Sequence, residues 1–177
     1  MNLVQCPQDR TNELCLIGRS NVGKSSLINA LAGSKIARTS KRPGMTQSLN
    51  FYMIANQRLV DLPGYGYAKL DKATKIVLGD LIGDYLASRE NLKVIIHVID
   101  ACVVTAHDKE ISEFVRKNSS AQYYVVANKI DKLKQSELHN LKTKISNYLK
   151  IDQNHLIPIS ALKQRYISHL IKIIKEL

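Results

Sequence analysis

Short apolar runs alternate with stretches of helical spacing from Leu14 onward. Leu14-Cys15-Leu16-Ile17 is an unbroken apolar run closed by Gly18, and Ser25-Ser26-Leu27-Ile28-Asn29-Ala30-Leu31 follows it, ending at Gly33; the order reads strand, loop, helix. Residues 48–55 alternate instead, placing Leu49, Phe51 and Met53 on one face and Asn50, Tyr52 and Ile54 on the other. A turn at Asn56-Gln57 then leads into Leu59-Val60-Asp61-Leu62, which predicts a β-hairpin. Residues 94–99, 123–127 and 156–159 are continuous apolar runs, each followed by helical spacing, as expected of parallel strands buried on both faces. Thr105-Ala106-His107-Asp108 has the residues of a capping box. Leu138, Leu141, Ile145 and Leu149 share one helical face, and Ile167, Leu170, Ile171 and Ile174 stripe the last helix. Residues 34–45 and 65–73 lack periodicity and read as loops longer than most connections.

These elements predict an α/β fold: a six-stranded, mostly parallel sheet with one antiparallel hairpin strand and helices on both faces. A length of 177 residues fits a single domain spanning 1–177, and 45% hydrophobic with 23% charged residues excludes disordered, collagen-like and coiled-coil chains. Lysines and arginines number 26 against 15 acidic residues, a formal net charge of +11. Such an excess favours a polyanionic partner such as nucleic acid, or it is a Lys-rich solvated surface; charge speaks to association and not to fold. Cys6, Cys15 and Cys102 form no CxxC pair and read as reduced packing thiols of a cytoplasmic protein. No apolar run approaches the ~18 residues that span a bilayer and no leader pattern opens the chain, so no membrane role is expected. The five histidines show no metal-ligand spacing.

The chemistry begins after the first strand. Gly18-Arg19-Ser20-Asn21-Val22-Gly23-Lys24-Ser25 satisfies GxxxxGK[ST] between a strand and a helix, followed by Ser26. Glycines let backbone N–H groups approach phosphate oxygens, the helix N-terminus adds positive potential, Lys24 supplies a cation and the Ser25 hydroxyl suits Mg²⁺. Asp61-Leu62-Pro63-Gly64 leaves the second hairpin strand. There a carboxylate holds Mg²⁺ through water and the Gly64 N–H bonds a γ-phosphate, so hydrolysis of the nucleotide frees the loop. Asn128-Lys129-Ile130-Asp131 follows a strand as NKxD. A carboxylate only accepts, so Asp131 matches the two N–H donors on guanine, a pair that adenine lacks. Ser160-Ala161-Leu162-Lys163, after the last strand, supports the same pocket with a backbone N–H for the guanine carbonyl, and Ile159, Ser160 and Ala161 are candidate nucleotide contacts.

With four elements in this order, the chain looks like a translation-factor-class small GTPase of Ras-like fold. Three blocks narrow the likeness: residues 18–29, Pro43-Gly44-Met45-Thr46-Gln47-Ser48-Leu49-Asn50-Phe51-Tyr52, and Asp61-Leu62-Pro63-Gly64-Tyr65-Gly66-Tyr67-Ala68-Lys69. On these the chain resembles the EngB (YihA/YsxC) family of bacterial ribosome-assembly GTPases, within the TrmE-Era-EngA-YihA-Septin-like class. The likeness runs from about Glu13 onward and thins after Asp131. It departs where family members carry an Arg-His pair and a late glycine: Asp100 is followed by Ala101-Cys102, and Lys163-Gln164-Arg165 has no glycine.

The resemblance implies a nucleotide-gated switch that binds GTP and GDP, hydrolyses GTP slowly and acts in assembly of a ribosomal subunit, the large one, as a monomer, with a role in cell division and septation. It places Gly44, Met45, Thr46, Gln47 and Ser48 at the nucleotide, with Thr46 completing the Mg²⁺ shell and sensing the γ-phosphate. Lys24, Asn21, Thr46 and Gly64 become the residues of turnover. Asn21 matches an asparagine that holds K⁺ in relatives; the alternative, that it merely suits the turn, stands equally on turn chemistry. Tyr65 occupies the position of the water-orienting glutamine of Ras-type GTPases, which implies slow intrinsic turnover. The rival reading is an RNA- or protein-binding module whose nucleotide domain holds GDP and hardly hydrolyses.

Overall fold

The computed structural model describes residues 6–39, 49–65 and 72–176. Its elements follow the predicted alternation: β1 (Glu13–Ile17), α1 (Lys24–Ala32), β2 (Asn50–Ile54), β3 (Gln57–Asp61), α2 (Lys72–Ser88), β4 (Leu92–Asp100), α3 (Ala106–Asn118), β5 (Gln122–Asn128), α4 (Gln135–His139), α5 (Leu141–Leu149), β6 (Leu156–Pro158) and α6 (Ile167–Lys175). The six strands form one sheet in the order β2-β3-β1-β4-β5-β6, with β2 and β3 the antiparallel pair.

Alternation along β1 divides the core in two. Cys15 and Ile17 point to the layer built with Leu81 and Tyr85 of α2, Val115 of α3 and Ile145 of α5. Leu14 and Leu16 point to the other, shared with Leu27 and Leu31 of α1 and Leu170 and Ile174 of α6. Helices therefore cover both faces, as parallel strands with apolar residues on each side require.

At the foot of the sheet Glu13 is a fully buried carboxylate that accepts from Arg58, Arg89 and Tyr85 at 2.7–3.1 Å. Burial opposes its ionisation, but these donors hold it below the usual carboxylate range. The charge is paired, which is the condition for keeping it inside.

Several details differ from the sequence reading. The hairpin turns at Ala55 and Asn56, with φ of 51° and 64°, one residue earlier than predicted. Both residues take the left-handed angles of a two-residue primed turn, and an alanine gives no warning of that. Met53 is exposed rather than part of a buried face. The stripe from Leu138 to Leu149 is split at Asn140 into two short helices, α4 and α5. Helix α2 has no counterpart among the elements that the pattern predicts; Ile76 and Val77 on it are exposed, so its apolar residues mark no single face. It begins at Lys72, so Lys72 and Ala73 belong to a helix and not to the loop expected over residues 65–73. Cys6 and Cys15 are buried but Cys102 is exposed, so it is not a packing residue.

Candidate nucleotide-binding site

The C-terminal ends of five strands meet along one edge of the sheet, the place where open α/β sheets collect ligands. Strand register sets the neighbours: Leu16 of β1 lies beside Asp61 of β3, and Asp100 of β4 beside Asn128 of β5.

Residues 18–23 connect β1 to α1 as the predicted loop. Gly18 has no space for a Cβ, which would run into the Val98 carbonyl oxygen. Gly23 stands at φ 100° just before α1, and a Cβ there would strike the Asn128 amide. Asn21 is left-handed at φ 65°, a conformation that asparagine tolerates better than most residues. α1 has no side-chain cap, so its first N–H groups remain donors for an anion. Val22 is buried, and Ser25 and Ser26 are half-buried on the first turn. The Ser20 hydroxyl is buried without a hydrogen-bond partner.

Lys24 and Asp61 form the electrostatic centre. Lys24 Nζ reaches the Gly18 carbonyl at 3.4 Å and faces Asp61 Oδ1 at 3.9 Å. Both are more than nine-tenths buried. Burial pulls the Lys24 ammonium down against the attraction of Asp61, and pushes the Asp61 carboxyl up to about 6 against that of Lys24. Asp61 Oδ1 makes no hydrogen bond. A buried carboxylate with an open oxygen, and a half-buried serine hydroxyl on the residue that follows Lys24, are hard-oxygen donors that suit Mg²⁺ and its water.

Beyond Asp61 the chain is held to β1 by Leu62 N–H donating to the Leu16 carbonyl at 3.0 Å, and Leu62, Pro63 and Gly64 are buried. Tyr65 pairs with Arg19 across the two loops, and Ser20 N–H donates to its carbonyl at 3.3 Å. Gly44, Met45, Thr46, Gln47 and Ser48 lie outside the described residues.

The Asn128 side chain joins three loops. Its amide donates to the Val22 carbonyl at 2.9 Å, and its oxygen accepts from Lys129 N–H at 2.8 Å and Ala161 N–H at 3.0 Å. Lys129, left-handed at φ 73°, sends Nζ to the Asn21 carbonyl and to Asp100, each at 2.7 Å. Asp131 Oδ1 accepts from the Ser160 hydroxyl, and Ile130 N–H donates to the Ile159 carbonyl. Asp131, Ser160 and the phosphate-type loop thus stand on one framework. The Ala161 N–H is bound to the Asn128 oxygen. Gln164 and Tyr166 turn the last loop at φ 52° and 61° although no glycine is present.

A family model described as "50S ribosome-binding GTPase" matches residues 13–129. The chain is 47% identical over 169 residues to the probable GTP-binding protein EngB of Mycoplasmoides gallisepticum, covering 96% of this chain and 90% of the relative. The chain belongs to the EngB family. It is a GTP-binding protein and a GTPase. A crystal structure of a probable EngB superposes with a TM-score of 0.77 at 27% identity, covering 93% of this chain and all of that one. Era in complex with MgGDPNP and a fragment of 16S ribosomal RNA gives 0.75 at 28% identity, over 94% of this chain and 56% of Era. EngB membership explains the motif blocks and agrees with the fold read from the sequence.

The residues that sequence reasoning missed are His97, Asp108 and Tyr123. His97 is fully buried, with Tyr65 Oη 2.6 Å from Nε2 and Tyr123 Oη 2.7 Å from Nδ1. Burial holds its imidazole down at about 4, so it is neutral at physiological pH. The other four histidines are exposed. Asp108 has a visible signal only as a helix cap, and it does close the capping box with Thr105. Its partner Arg19, 89 residues away, bonds it through Nε at 3.0 and 3.1 Å. Arg19 therefore offers the phosphate loop its backbone, while its side chain is directed to α3.

Proposed function

We propose that this EngB chain is a cytoplasmic, monomeric, single-domain switch that binds GTP with Mg²⁺, docks on the large ribosomal subunit during its assembly, and releases it after slow hydrolysis to GDP. The observation that carries the nucleotide half is the Asn128 side chain, which ties Val22 beside the phosphate loop to Ala161 next to Ser160 and Asp131. Base reading and phosphate binding are set on one rigid framework. Asp131 accepts from guanine N1 and N2, while Lys129 and Asn128 hold the loop edges in place. The N–H groups of residues 19–26 and Lys24 neutralise the phosphates.

Ser25 and Thr46 would hold Mg²⁺ directly and Asp61 through water, and the ion would supply positive charge to the phosphates when bound. Gly64 N–H reads the γ-phosphate, together with Thr46. Asn21 would offer its side-chain amide oxygen to K⁺, its carbonyl being held by Lys129, although its left-handed φ alone gives it a turn role. The Tyr65 hydroxyl is hydrogen-bonded to Asp108 and lies beside His97, which accounts for slow turnover without a water-orienting glutamine.

The ribosomal half is supported by the +11 charge, the family model's description and the likeness to Era bound to ribosomal RNA. Lys142, Lys144, Lys150, Arg165, Lys172 and Lys175 are all exposed on the C-terminal helices and their flanks and extend a basic footprint. Lys35 and Arg38 add to it from the first loop, whose Lys41 and Arg42 lie outside the described residues, as does Lys69. Among the described residues no helix is long and apolar enough to cross a membrane. A role in septation follows from the family resemblance. The Tyr65 hydroxyl, occupied by Asp108, also favours the second reading, a GDP-holding RNA- or protein-binding module. Single-turnover GTP hydrolysis with and without ribosomal subunits decides: acceleration by subunits supports the switch, and a flat, near-zero rate supports the module.

A further inference from the structure

Asp108 is completely buried in the first turn of α3, and donors from three separate segments converge on it. Thr105 N–H and Oγ1 reach Oδ2 at 2.8 and 2.9 Å and account for the helix cap. The other two do not belong to α3. Arg19 Nε lies 3.0 and 3.1 Å from the two oxygens, and its Nη2 donates to the Val103 carbonyl at 2.8 Å. The Tyr65 hydroxyl donates to Oδ1 at 2.8 Å. Arg19 is the second residue of the phosphate loop, and Tyr65 directly follows Gly64.

The proton positions can be assigned by elimination. Burial opposes ionisation of Asp108, yet the donors from Thr105, Arg19 and Tyr65 keep it below the usual carboxylate range. An ionised carboxylate only accepts, so the Tyr65 proton points at Asp108. His97 Nε2 then carries the hydrogen donated to the phenol oxygen at 2.6 Å, and His97 Nδ1 accepts from the Tyr123 hydroxyl at 2.7 Å. Tyr65 is seated from both sides by buried groups on α3 and β4, and the β4 group, His97, is backed by Tyr123 of β5.

We propose that Asp108 is a positioning residue for the γ-phosphate contact: by holding Arg19 and Tyr65 on one carboxylate, it seats Gly64 against the phosphate loop before nucleotide arrives. This rests on the reading of Gly64 as the residue that meets the γ-phosphate. Ordering a segment has an entropic cost. A seat formed in advance removes that cost from GTP binding and leaves GDP binding untouched, because a pre-organised state binds its ligand without the population penalty. Tyr65 serves here as an anchor, and its hydroxyl acts on the protein and not on the attacking water.

The test is equilibrium titration of the full chain, in Mg²⁺, with a non-hydrolysable fluorescent GTP analogue and with fluorescent GDP. Tyr65→Phe removes one hydroxyl and keeps the ring; it is expected to weaken the GTP analogue about tenfold, the size of one hydrogen bond to a charged group, and to leave GDP unchanged. Asp108→Asn is expected to lower the same GTP-to-GDP preference, and the double variant to lower it no further than Asp108→Asn alone. Asp152→Ala, which removes a hydrogen bond to Asn154 N–H and none to Asp108, lowers the thermal midpoint without moving the preference, as a merely structural effect would. If Asp108→Asn does not fold, Tyr65→Phe carries the test alone. Gly64→Ala checks the underlying reading separately. Abolished preference in Gly64→Ala with full preference in Tyr65→Phe overturns the seat and keeps the γ-phosphate role of Gly64. Full preference in both overturns the Gly64 reading and the seat with it.

Discussion

The Asn128 amide donates to the carbonyl of Val22 at 2.9 Å, joining loops 106 residues apart in the chain. The same amide is what a Cβ at Gly23 would strike. Replacing Asn128 with Ala leaves the N–H groups of Lys129 and Ala161 and the Val22 carbonyl without their partner. Each buried orphan costs about 1–3 kcal/mol. Asn128→Ala is therefore expected to lose more than about 1 kcal/mol in denaturant unfolding and to weaken GTP and GDP together, at least tenfold in titration. Gly23→Ala, forced into φ 100° and against that amide, is expected to lose nucleotide binding as well.

Asp131, which accepts from the Ser160 hydroxyl, is the proposed reader of the guanine base. Asp131→Asn is expected to weaken GTP by about tenfold or more and to favour xanthosine nucleotides. Xanthine presents a carbonyl where guanine has its amino group, and an amide donates to it. Competition between GTP and XTP for wild type and variant measures the reversal; an unchanged GTP affinity counts against the base-reading role.

The open oxygen of Asp61 predicts a magnesium effect. EDTA is expected to weaken binding of a GTP analogue to the wild-type chain. In Asp61→Ala and Ser25→Ala that EDTA effect shrinks, because the donors it depends on are gone; Thr46→Ala behaves likewise, whereas Ser20→Ala does not. Titrations with and without EDTA provide the comparison.

His97 makes stability fall on acidification. Its folded-state value of about 4 lies below the ordinary 6.5, so between those values the unfolded chain binds the extra proton. Stability is full above about pH 6.5 and is lost as pH falls toward 4. The buried imidazole accounts for roughly 3 kcal/mol of that loss. His97→Gln, which retains an amide donor for Tyr65, is expected to flatten this window. Urea midpoints measured at intervals from about pH 7 to about pH 4 give the slope for both proteins.

Local patterns made much of the fold legible in the sequence. Gly33 ends α1 with φ 65° just where the apolar spacing stops, and Thr105 with Asp108 caps α3 as the spacing predicts. Parallel strands buried on both faces leave a continuous apolar trace, and the loops that follow them carry the glycines and the NKxD residues. What stayed hidden depends on tertiary neighbours. An alanine at φ 51° in the hairpin turn has no sequence signature. Leu138 and Leu141 keep helical spacing across the break at Asn140, so periodicity runs through it. The convergence of Arg19, Tyr65 and His97 near Asp108 joins four segments that only the assembled sheet brings together, and no spacing in the sequence links a phosphate-loop arginine, a tyrosine after DxPG and a strand histidine to a helix-capping aspartate.

The central claim is that nucleotide state gates a basic surface. Each phosphate contact contributes a slope of about −0.7 to −0.9 in log affinity against log salt. The most direct measurement is a salt titration of large-subunit binding by the chain loaded with a GTP analogue or with GDP, repeated for Lys41→Ala with Arg42→Ala. Gating predicts tighter, steeply salt-dependent binding in the GTP-analogue state, flattened in the double variant; equal affinity and equal slope in the two nucleotide states would contradict it.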